Sequence, residues 1–385
     1  MTAADTSTEE WEDTTHTQPP LQNLDERRTR WAHLLRDQHF EPVILDILGD
    51  ELLKYTNSCV IAPTERVKHT RECALILASA PKIFYAAVEG NLISRMIQDV
   101  ELQAEYTDIQ QRAHHQPSIY VHLLADHEGK APTPMQYLKI RDAVQEYVSS
   151  GGSEQAHLID NITSPPITLN ASMKGHCKYL YTPHTDRSAR RIATLERLCT
   201  GITSRCSQIA PHLQNTPLPY PPAEVGYALH AHKRLAQHRA HRSSNYIMNL
   251  VEDICTHLFR TKALTQHFVM HQFIIYLIFR PSQAAIAEIF CSGLLQCWVD
   301  GGGGFNAYPA GRSVASERKV CSEEWQQHEV WAREGSPLEE RMEGMRGKAE
   351  VWTKALNWEG GDDDGRGAEE DDGGHVQLED SMDVT

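Results

Sequence analysis

The sequence predicts an α+β protein: a helical N-terminal region, then a small mixed sheet flanked by helices, with disordered acidic tails. Three observations predict this class. Apolar residues recur at helical spacing from residue 23 to about 115, strand patterns begin only after residue 116, and acidic residues crowd both ends of the chain. We therefore divide the chain into the ranges 1–22, 23–115, 116–316, 317–358 and 359–385.

The tails carry nearly all of the net charge. The chain has 385 residues and a formal net charge of −15, of which residues 1–25 contribute −6 and residues 359–385 contribute −10. The body is therefore close to neutral, so the overall acidity does not argue against a polyanionic partner. We expect disorder in 1–22 and 359–385, and a solvated helix within 317–358.

The chain is predicted to be intracellular, either nuclear or cytoplasmic. Its N-terminus is polar and acidic, whereas a secretory signal begins basic and then turns apolar. The longest apolar run, residues 267–279, is too short to span a bilayer and is typical of a core strand. The chain has nine cysteines, an odd number, and no CxxC pair; this favours reduced thiols over a disulfide framework or a zinc ribbon. No membrane or secreted partner is implied, and the oligomeric state stays open.

Apolar spacing predicts the helices of the N-terminal region. In "EPVILDILGDELLKY" the residues Val43, Ile44, Ile47 and Leu48 share one face, and Pro81 and Gly90 interrupt later helices. This region carries no chemical motif, so we expect it to pack or to recruit.

The pattern changes at residue 117. "PSIYVHLL" is typical of a strand, and the helix after it is capped by Thr133 with Pro134 in its first turn. Further helices are expected at about 186–210, from about Asn245, and from Pro281 or Ser282. A glycine-rich turn, "DGGGGFNAYPAGR", closes the block.

The basic segment "EVGYALHAHKRLAQHRAHRSSN" has three interpretations. It is a solvated helix face, a zinc site or a phosphate-contacting surface. The zinc ligands would be His230, His232, His238 and His241. The phosphate contacts would come from Lys233, Arg234, Arg239 and Arg242.

Glu288 stands alone in the apolar stretch "AAIAEIFCSGLL". A carboxylate there either reaches solvent from the edge of a helix or is buried for a purpose, because burying an unpaired charge is costly. In the second case it is a candidate ligand for Mg²⁺, which typically binds one or two carboxylates plus substrate phosphates.

Taken in order, these motifs resemble the GIY-YIG endonuclease family. Tyr120 in "SIY" matches the tyrosine of the first motif and Gly226 in "EVGY" the glycine of the second. The other matches are Arg234 for the catalytic arginine, His238 for the following histidine, Glu288 for the metal ligand and Asn306 for the asparagine of the closing turn. The resemblance covers about 117–135 and 217–312, and it implies an insertion at about 135–216.

The resemblance implies phosphodiester hydrolysis. A tyrosine or histidine (Tyr120, Tyr227 or His238) would handle the proton of the attacking water, and Arg234 would stabilise charge on the phosphate. Glu288 would bind Mg²⁺, which assists the leaving group. Lys233, Arg239 and Arg242 would contact nucleic acid.

The chain departs from the family pattern at several positions. Glu224 stands where the second motif has tyrosine, Ser118 replaces a glycine, Ala228 a hydroxyl residue and Lys233 an arginine. About a hundred residues separate two strands that a short hairpin normally joins. An alternative first strand, "CKYLYTP", would use Tyr179 or Tyr181 instead.

The leading hypothesis is therefore a metal-dependent DNA endonuclease or a catalytically impaired relic of one. The alternative is a non-catalytic module that kept the fold and binds nucleic acid or protein, and a third hypothesis is a helical scaffold with an accidental resemblance. The nuclease hypothesis requires Tyr120, Arg234 and Glu288 to meet on one concave face. Glu288 on the far side of the fold from Arg234 would contradict it.

Overall fold

Three antiparallel strands form the sheet, in the order β2-β1-β3. They are β1 (Ser118–Ala125), β2 (Ala223–Ala228) and β3 (Val269–Leu277). Both pairings are antiparallel, so the mixed sheet that the sequence predicted is wrong. All residues of the central strand β1 are buried, because helices and the two outer strands cover it. The apolar run at 267–279 is the expected core strand.

The computed structural model describes residues 23–56, 60–149, 153–163, 177–181, 187–242, 245–312 and 314–347. The expectations for residues 1–22 and 359–385, and for 348–358 of the C-terminal helix, lie outside these ranges. Within these ranges no helix is both long enough and apolar enough to cross a bilayer. The cysteines of the described part are free thiols, and all of them except Cys321 are buried.

The N-terminal region is helical, as predicted. Its helices are α1 (Leu24–Arg36), α2 (Phe40–Glu51), α3 (Arg66–Ser79), α4 (Lys82–Val88), α5 (Leu92–Gln98) and α6 (Val100–Arg112). Helices α4 and α6 pack on β3: Phe84 meets Tyr276 edge-on at 6.3 Å, and Tyr106 meets Phe273 at 5.7 Å. The helical region and the sheet thus share one core.

The remaining helices follow the strands. Between β1 and β2 lie α7 (Pro134–Ser149), α8 (Glu154–Asp160) and α9 (Ala189–Ser207); between β2 and β3 lie α10 (Ala231–Arg239) and α11 (Tyr246–Arg260); after β3 come α12 (Gln283–Leu294) and α13 (Ser322–Gly335). The helix expected from Asn245 is α11, and the Asn245 side chain caps it by accepting from Met248 N. The alternative first strand is wrong, because residues 178–180 form a 3₁₀ turn.

The insertion between β1 and β2 is fastened by glycines. Helix α9 runs against the 3₁₀ turn Val299–Gly301, and a Cβ on Gly201 would lie 2.7 Å from Gly302 N and 2.8 Å from Asp300 O. Only a residue without a side chain permits this approach of two backbones. The glycine-rich turn "DGGGGFN" therefore contacts α9 backbone to backbone, and this contact fixes the position of α9.

This close approach yields a stability prediction. Gly201→Ala should lower the free energy of unfolding by about 1–3 kcal/mol, because the new methyl group overpacks a backbone contact that cannot yield. The control is Gly49→Ala in α2, where a Cβ would meet nothing within 4 Å. That change should raise stability by about 0.5–1 kcal/mol through helix propensity. Urea unfolding of both variants checks the pair, and equal effects would contradict it.

Candidate functional site

A cavity of about 190 Å³ lies beside β2. Strands β1 and β2 and helices α10, α11 and α12 contribute residues to its lining, so separate parts of the chain build it. Tyr120, Arg234 and Glu288, which the nuclease hypothesis requires on one concave face, all line it. The full lining consists of Tyr120, Glu224, Val225, Gly226, Tyr227, Arg234, Asn245, Tyr246, Ile247, Glu288, Phe305, Asn306, Ala307 and Tyr308.

Tyr120 lies directly over Gly226. The two residues oppose each other in the β1–β2 ladder, and a Cβ on Gly226 would lie 2.5 Å from Cζ of Tyr120. Any side chain at 226 would therefore displace the phenol ring. Tyr120 is only 2% exposed, and this burial raises the pKa of its hydroxyl far above the ordinary value. The glycine of the second motif is thus needed to seat the tyrosine of the first.

The Tyr120 hydroxyl has two partners from α10. Arg234 Nε donates to it at 3.5 Å, and His238 Nε2 lies 3.3 Å away. Because arginine can only donate, the tyrosine's own proton is free to point at His238 Nε2, which then must be unprotonated. Burial lowers the pKa of His238 to about 3, which agrees with a neutral ring. His238 lies behind Tyr120 and does not line the cavity.

Glu288 projects from α12, and its neighbours only partly offset the cost of burying a negative charge on its carboxylate. Its Oε2 accepts a hydrogen bond from Gly311 N at 2.8 Å. Burial raises the pKa of this carboxyl to about 7; the backbone N–H groups of Gly311 and Tyr227 and the charge of Arg234 oppose the rise, and the nearby Glu224 adds to it. Glu288 is thus half-buried, and its carboxyl is hydrogen-bonded at the cavity wall rather than extended into solvent from the edge of the helix.

The donor set can be tested against a metal. In the described part of the chain, no group of three or more His, Cys, Asp or Glu is arranged to hold an ion. The four histidines of the zinc interpretation do not converge. His238 lies against Tyr120 and His241 Nε2 binds Glu252 Oε2 at 2.9 Å, whereas the His232 ring lies 4.2 Å from that of His114 and 6.1 Å from that of His230. Mg²⁺ needs fewer protein ligands, and one carboxylate facing a polar cavity fits it, with water and phosphate completing the shell.

Asn306 closes the glycine-rich turn onto the free edge of β2. Its Oδ1 accepts from Val225 N at 3.0 Å and its Nδ2 donates to Val225 O at 2.9 Å. The side-chain amide thus imitates a neighbouring strand, and Phe305 N continues the pairing by donating to Ala223 O at 2.9 Å. Asn306 holds the shape of the cavity wall at β2.

Glu224 forms a buried pair that the sequence analysis did not anticipate. It opposes His122 in the ladder, and its Oε2 lies 2.6 Å from His122 Nδ1. The alternation of strand β1 was the available signal, because Tyr120 and His122 are two residues apart and share a face. Where the family pattern has a tyrosine, this chain therefore has a carboxylate bonded to histidine.

Tyr227 and the basic residues are placed differently from the resemblance. Strand alternation puts the Tyr227 side chain on the face opposite to Tyr120, although the residue lines the cavity. Lys233 and Arg242 are exposed, and Arg239 Nη1 donates to Gln272 Oε1 at 2.7 Å. None of these three cations is among the described residues that line the cavity.

Two arginines of the segment between β1 and β2 stack instead on tyrosines of the cavity wall. At the N-terminus of α9, Arg190 stacks on Tyr308 and Arg191 stacks on Tyr246, each 4.5 Å from the ring centroid. Both tyrosines line the cavity. The sequence analysis treated this helix only as an amphipathic one, and the arginine pair in "SARRIATL" was its one available signal.

Comparison with known proteins returned no relatives: no family model matches the chain, and neither a curated protein nor a solved structure does.

The Glu288 environment predicts a pH-dependent stability effect. A carboxyl whose pKa is raised from 4.5 to about 7 on folding binds more protons when folded. The stability linked to it is fully present below pH 4.5 and is lost as the pH rises to about 7. Glu288→Gln does not titrate, so the variant should gain on the wild type across this window, by about 2 kcal/mol after allowance for partial hydration at the cavity.

Urea unfolding of metal-free protein at pH 5 and pH 8 measures the difference. A variant less stable than the wild type at pH 8 would show that Glu288 supports the fold rather than straining it.

Proposed function

We propose that this chain is a Mg²⁺-dependent phosphodiester endonuclease of the GIY-YIG type, acting on DNA. One observation carries the proposal: Tyr120, Arg234 and Glu288 come from three distant segments and line the same cavity. Packing alone does not require a phenol, a guanidinium and a raised-pKa carboxyl to meet there. Perturbed titratable groups that converge on one cavity are the usual mark of an active site.

Tyr120 and His238 are suited to take up the proton of an attacking water. The phenol oxygen faces the cavity, and its proton is directed at the neutral Nε2 of His238. As the water oxygen forms its bond to phosphorus, its proton passes to the Tyr120 oxygen and the phenol proton passes to His238. The high pKa of Tyr120 prevents a standing phenolate, so the two transfers are coupled.

Arg234 and Glu288 supply the charges that phosphate chemistry needs. The Arg234 guanidinium is held by α10 beside the Tyr120 hydroxyl, where it can bind the phosphoryl oxygens on which negative charge grows. Glu288 would hold Mg²⁺, which supplies Lewis-acid stabilisation of the leaving oxygen when it is bound.

The stacked pairs on α9 would hold the nucleic acid outside the cleavage point. Arg190 is exposed and its guanidinium lies flat on Tyr308, an arrangement that offers donors to phosphate and an aromatic plane to a base. Arg191 is half-buried and donates to the Tyr179 and Tyr181 carbonyls, so it fixes the loop beneath.

A second candidate function is a non-catalytic module that binds nucleic acid. The specific observation in its favour is Glu224, an acidic residue where the family's second motif has tyrosine. A carboxylate that lines the cavity would repel phosphate unless its charge is balanced by a neighbour such as His122. DNA binding without cleavage by the wild type would favour this alternative.

Nicking of supercoiled plasmid tests catalysis. We expect wild type to nick DNA with Mg²⁺ and not with EDTA, and Glu288→Gln to fall to background because the metal ligand is lost. Glu41→Gln, an exposed glutamate of α2, is the matched control and should nick normally. Because Glu288→Gln should be at least as stable as wild type at pH 8, lost activity would not reflect unfolding. Full activity of Glu288→Gln would contradict the proposal.

Salt-dependent DNA binding tests the surface at α9. Each phosphate contact contributes about 0.9 to the slope of log affinity against log salt, so Arg190→Ala should lower this slope by roughly one unit. Arg260→Ala is the matched control, since this exposed arginine ends α11 about 20 Å along the helix from the cavity-lining Tyr246. Equal slopes for the two variants would remove Arg190 from the interface.

A further inference from the structure

Four buried side chains connect two points of the cavity wall. Tyr120 and Glu224 line the cavity, whereas His122 and His238 lie behind them and are 0% and 1% exposed. The contacts run in order: Tyr120 hydroxyl to His238 Nε2 at 3.3 Å, His238 ring to His122 ring at 4.5 Å, and His122 Nδ1 to Glu224 Oε2 at 2.6 Å. The series therefore starts and ends at the same cavity.

A proton path through both rings requires one tautomer of each histidine. A carboxylate only accepts, so the proton on His122 lies on Nδ1 and points at Glu224. At the other end, the path requires the Tyr120 proton to point at His238 Nε2 and the His238 ring to carry its own proton on Nδ1. His238 Nδ1 is then a donor and His122 Nε2 an acceptor, in rings whose centroids lie 4.5 Å apart.

These two inner nitrogens are the unexplained feature. His122 Nε2 and His238 Nδ1 are both buried, and neither has a hydrogen-bond partner among the residues that the structure describes. Leaving such an atom unpaired costs about 1–3 kcal/mol, so a pair serving only the stability of the fold would not be expected to retain two of them. The two nitrogens belong to rings in contact but do not bond to each other directly, so one water between them would complete a proton path.

We propose that Tyr120, His238, His122 and Glu224 form one proton-transfer chain that carries the proton of the attacking water to Glu224. The proposal rests on the proposed nuclease function and adds His122 and Glu224 to it as positioning residues. It gives a role to the carboxylate at the position where the family's second motif has tyrosine.

The transfers balance. The water O–H bond breaks as its oxygen bonds to phosphorus, and that proton joins the Tyr120 oxygen. The Tyr120 proton moves to His238 Nε2, the His238 Nδ1 proton to His122 Nε2, and the His122 Nδ1 proton to Glu224. After the product leaves, the proton returns from Glu224 along the same path to the Tyr120 oxygen, whose displaced proton leaves through the cavity; this restores both histidine tautomers, and the leaving oxygen takes its proton from water. The net change is hydrolysis of one P–O bond with no redox partner.

The electrostatic surroundings act on both ends of the chain. Burial opposes a charged His238, and the Glu224 charge is the largest influence that favours it. Burial likewise favours neutral Glu224, yet the contact with His122 and the charge of Arg234 keep the pKa of Glu224 below its ordinary value, so Glu224 holds the transferred proton only briefly. The other titratable groups that act on the chain are Arg234 on α10, Glu252 on α11 and Glu288 on α12.

Nitrogen-15 NMR of histidine in the full-length protein at pH 7 tests the arrangement without DNA or metal. We expect neutral His238 with its proton on Nδ1 and a His122 proton on Nδ1, with His238→Gln and His122→Asn used to assign the signals. A His238 proton on Nε2 would overturn the proposal, because the chain would then run the wrong way.

Cleavage kinetics test whether the reaction uses the proton-transfer chain. Glu224→Gln should lower kcat about 100-fold with little change in KM, and make the remaining rate rise with pH as hydroxide replaces the chain. Glu224→Asp, which keeps a carboxylate, should recover most of the rate. Tyr147→Phe is the matched control: it removes another buried hydrogen bond to a carboxylate, from the Tyr147 hydroxyl to Asp160 Oδ1 at 2.5 Å, between residues that do not line the cavity. It should cost stability and leave kcat and its pH profile near wild type.

The outcomes separate the two proposals. If Glu224→Gln nicks DNA at the wild-type rate with the wild-type pH profile, the pair is structural and only the proton chain fails. If the wild type does not nick DNA, the proposed function and the chain fail together.

Discussion

The register of β1 on β2 is the constraint on which the rest of the site depends. It places the Tyr120 ring over Gly226 and His122 against Glu224, two contacts one pleat apart on the same face. A slip of β1 by one residue would turn Tyr120 and His122 to the face opposite Gly226 and Glu224 and empty the cavity wall. The lack of a side chain at Gly226 and the His122–Glu224 hydrogen bond both require the same register. The Tyr120 ring can therefore take its place over Gly226 only when β1 and β2 pair in this register.

Helices set around this ladder supply the remaining groups. Helix α10 presents Arg234 and His238, one turn apart, to the Tyr120 hydroxyl, and α12 presents Glu288 from the other side of β2. Burying Glu288 raises its pKa to about 7 and works against the fold at neutral pH. Such a cost is typical of a functional site, where polar groups are held in place for chemistry rather than for stability.

The segment between β1 and β2 packs next to the site. Backbone contacts at Gly201 and Gly302 dock α9 onto the glycine-rich turn, and Arg190 of this helix lies over Tyr308, which lines the cavity. A connection of about a hundred residues between two neighbouring strands thus places arginines beside the cavity, although none of its described residues lines it. The price in chain entropy of so long a connection grows only slowly with its length.

The sequence by itself determined the helices and the core strand at 267–279, because these follow from spacing within one or two turns of chain; the need for glycine at 226 comes from the Tyr120 ring that the tertiary structure packs over it. It also picked out Tyr120, Arg234 and Glu288 by type and order. Only the tertiary structure decided the antiparallel sheet, the facing of Tyr227 away from Tyr120, and the pairing of His122 with Glu224. Those partners are 102 residues apart, as Tyr120 and His238 are 118 apart, and local patterns contain no register between such distant segments.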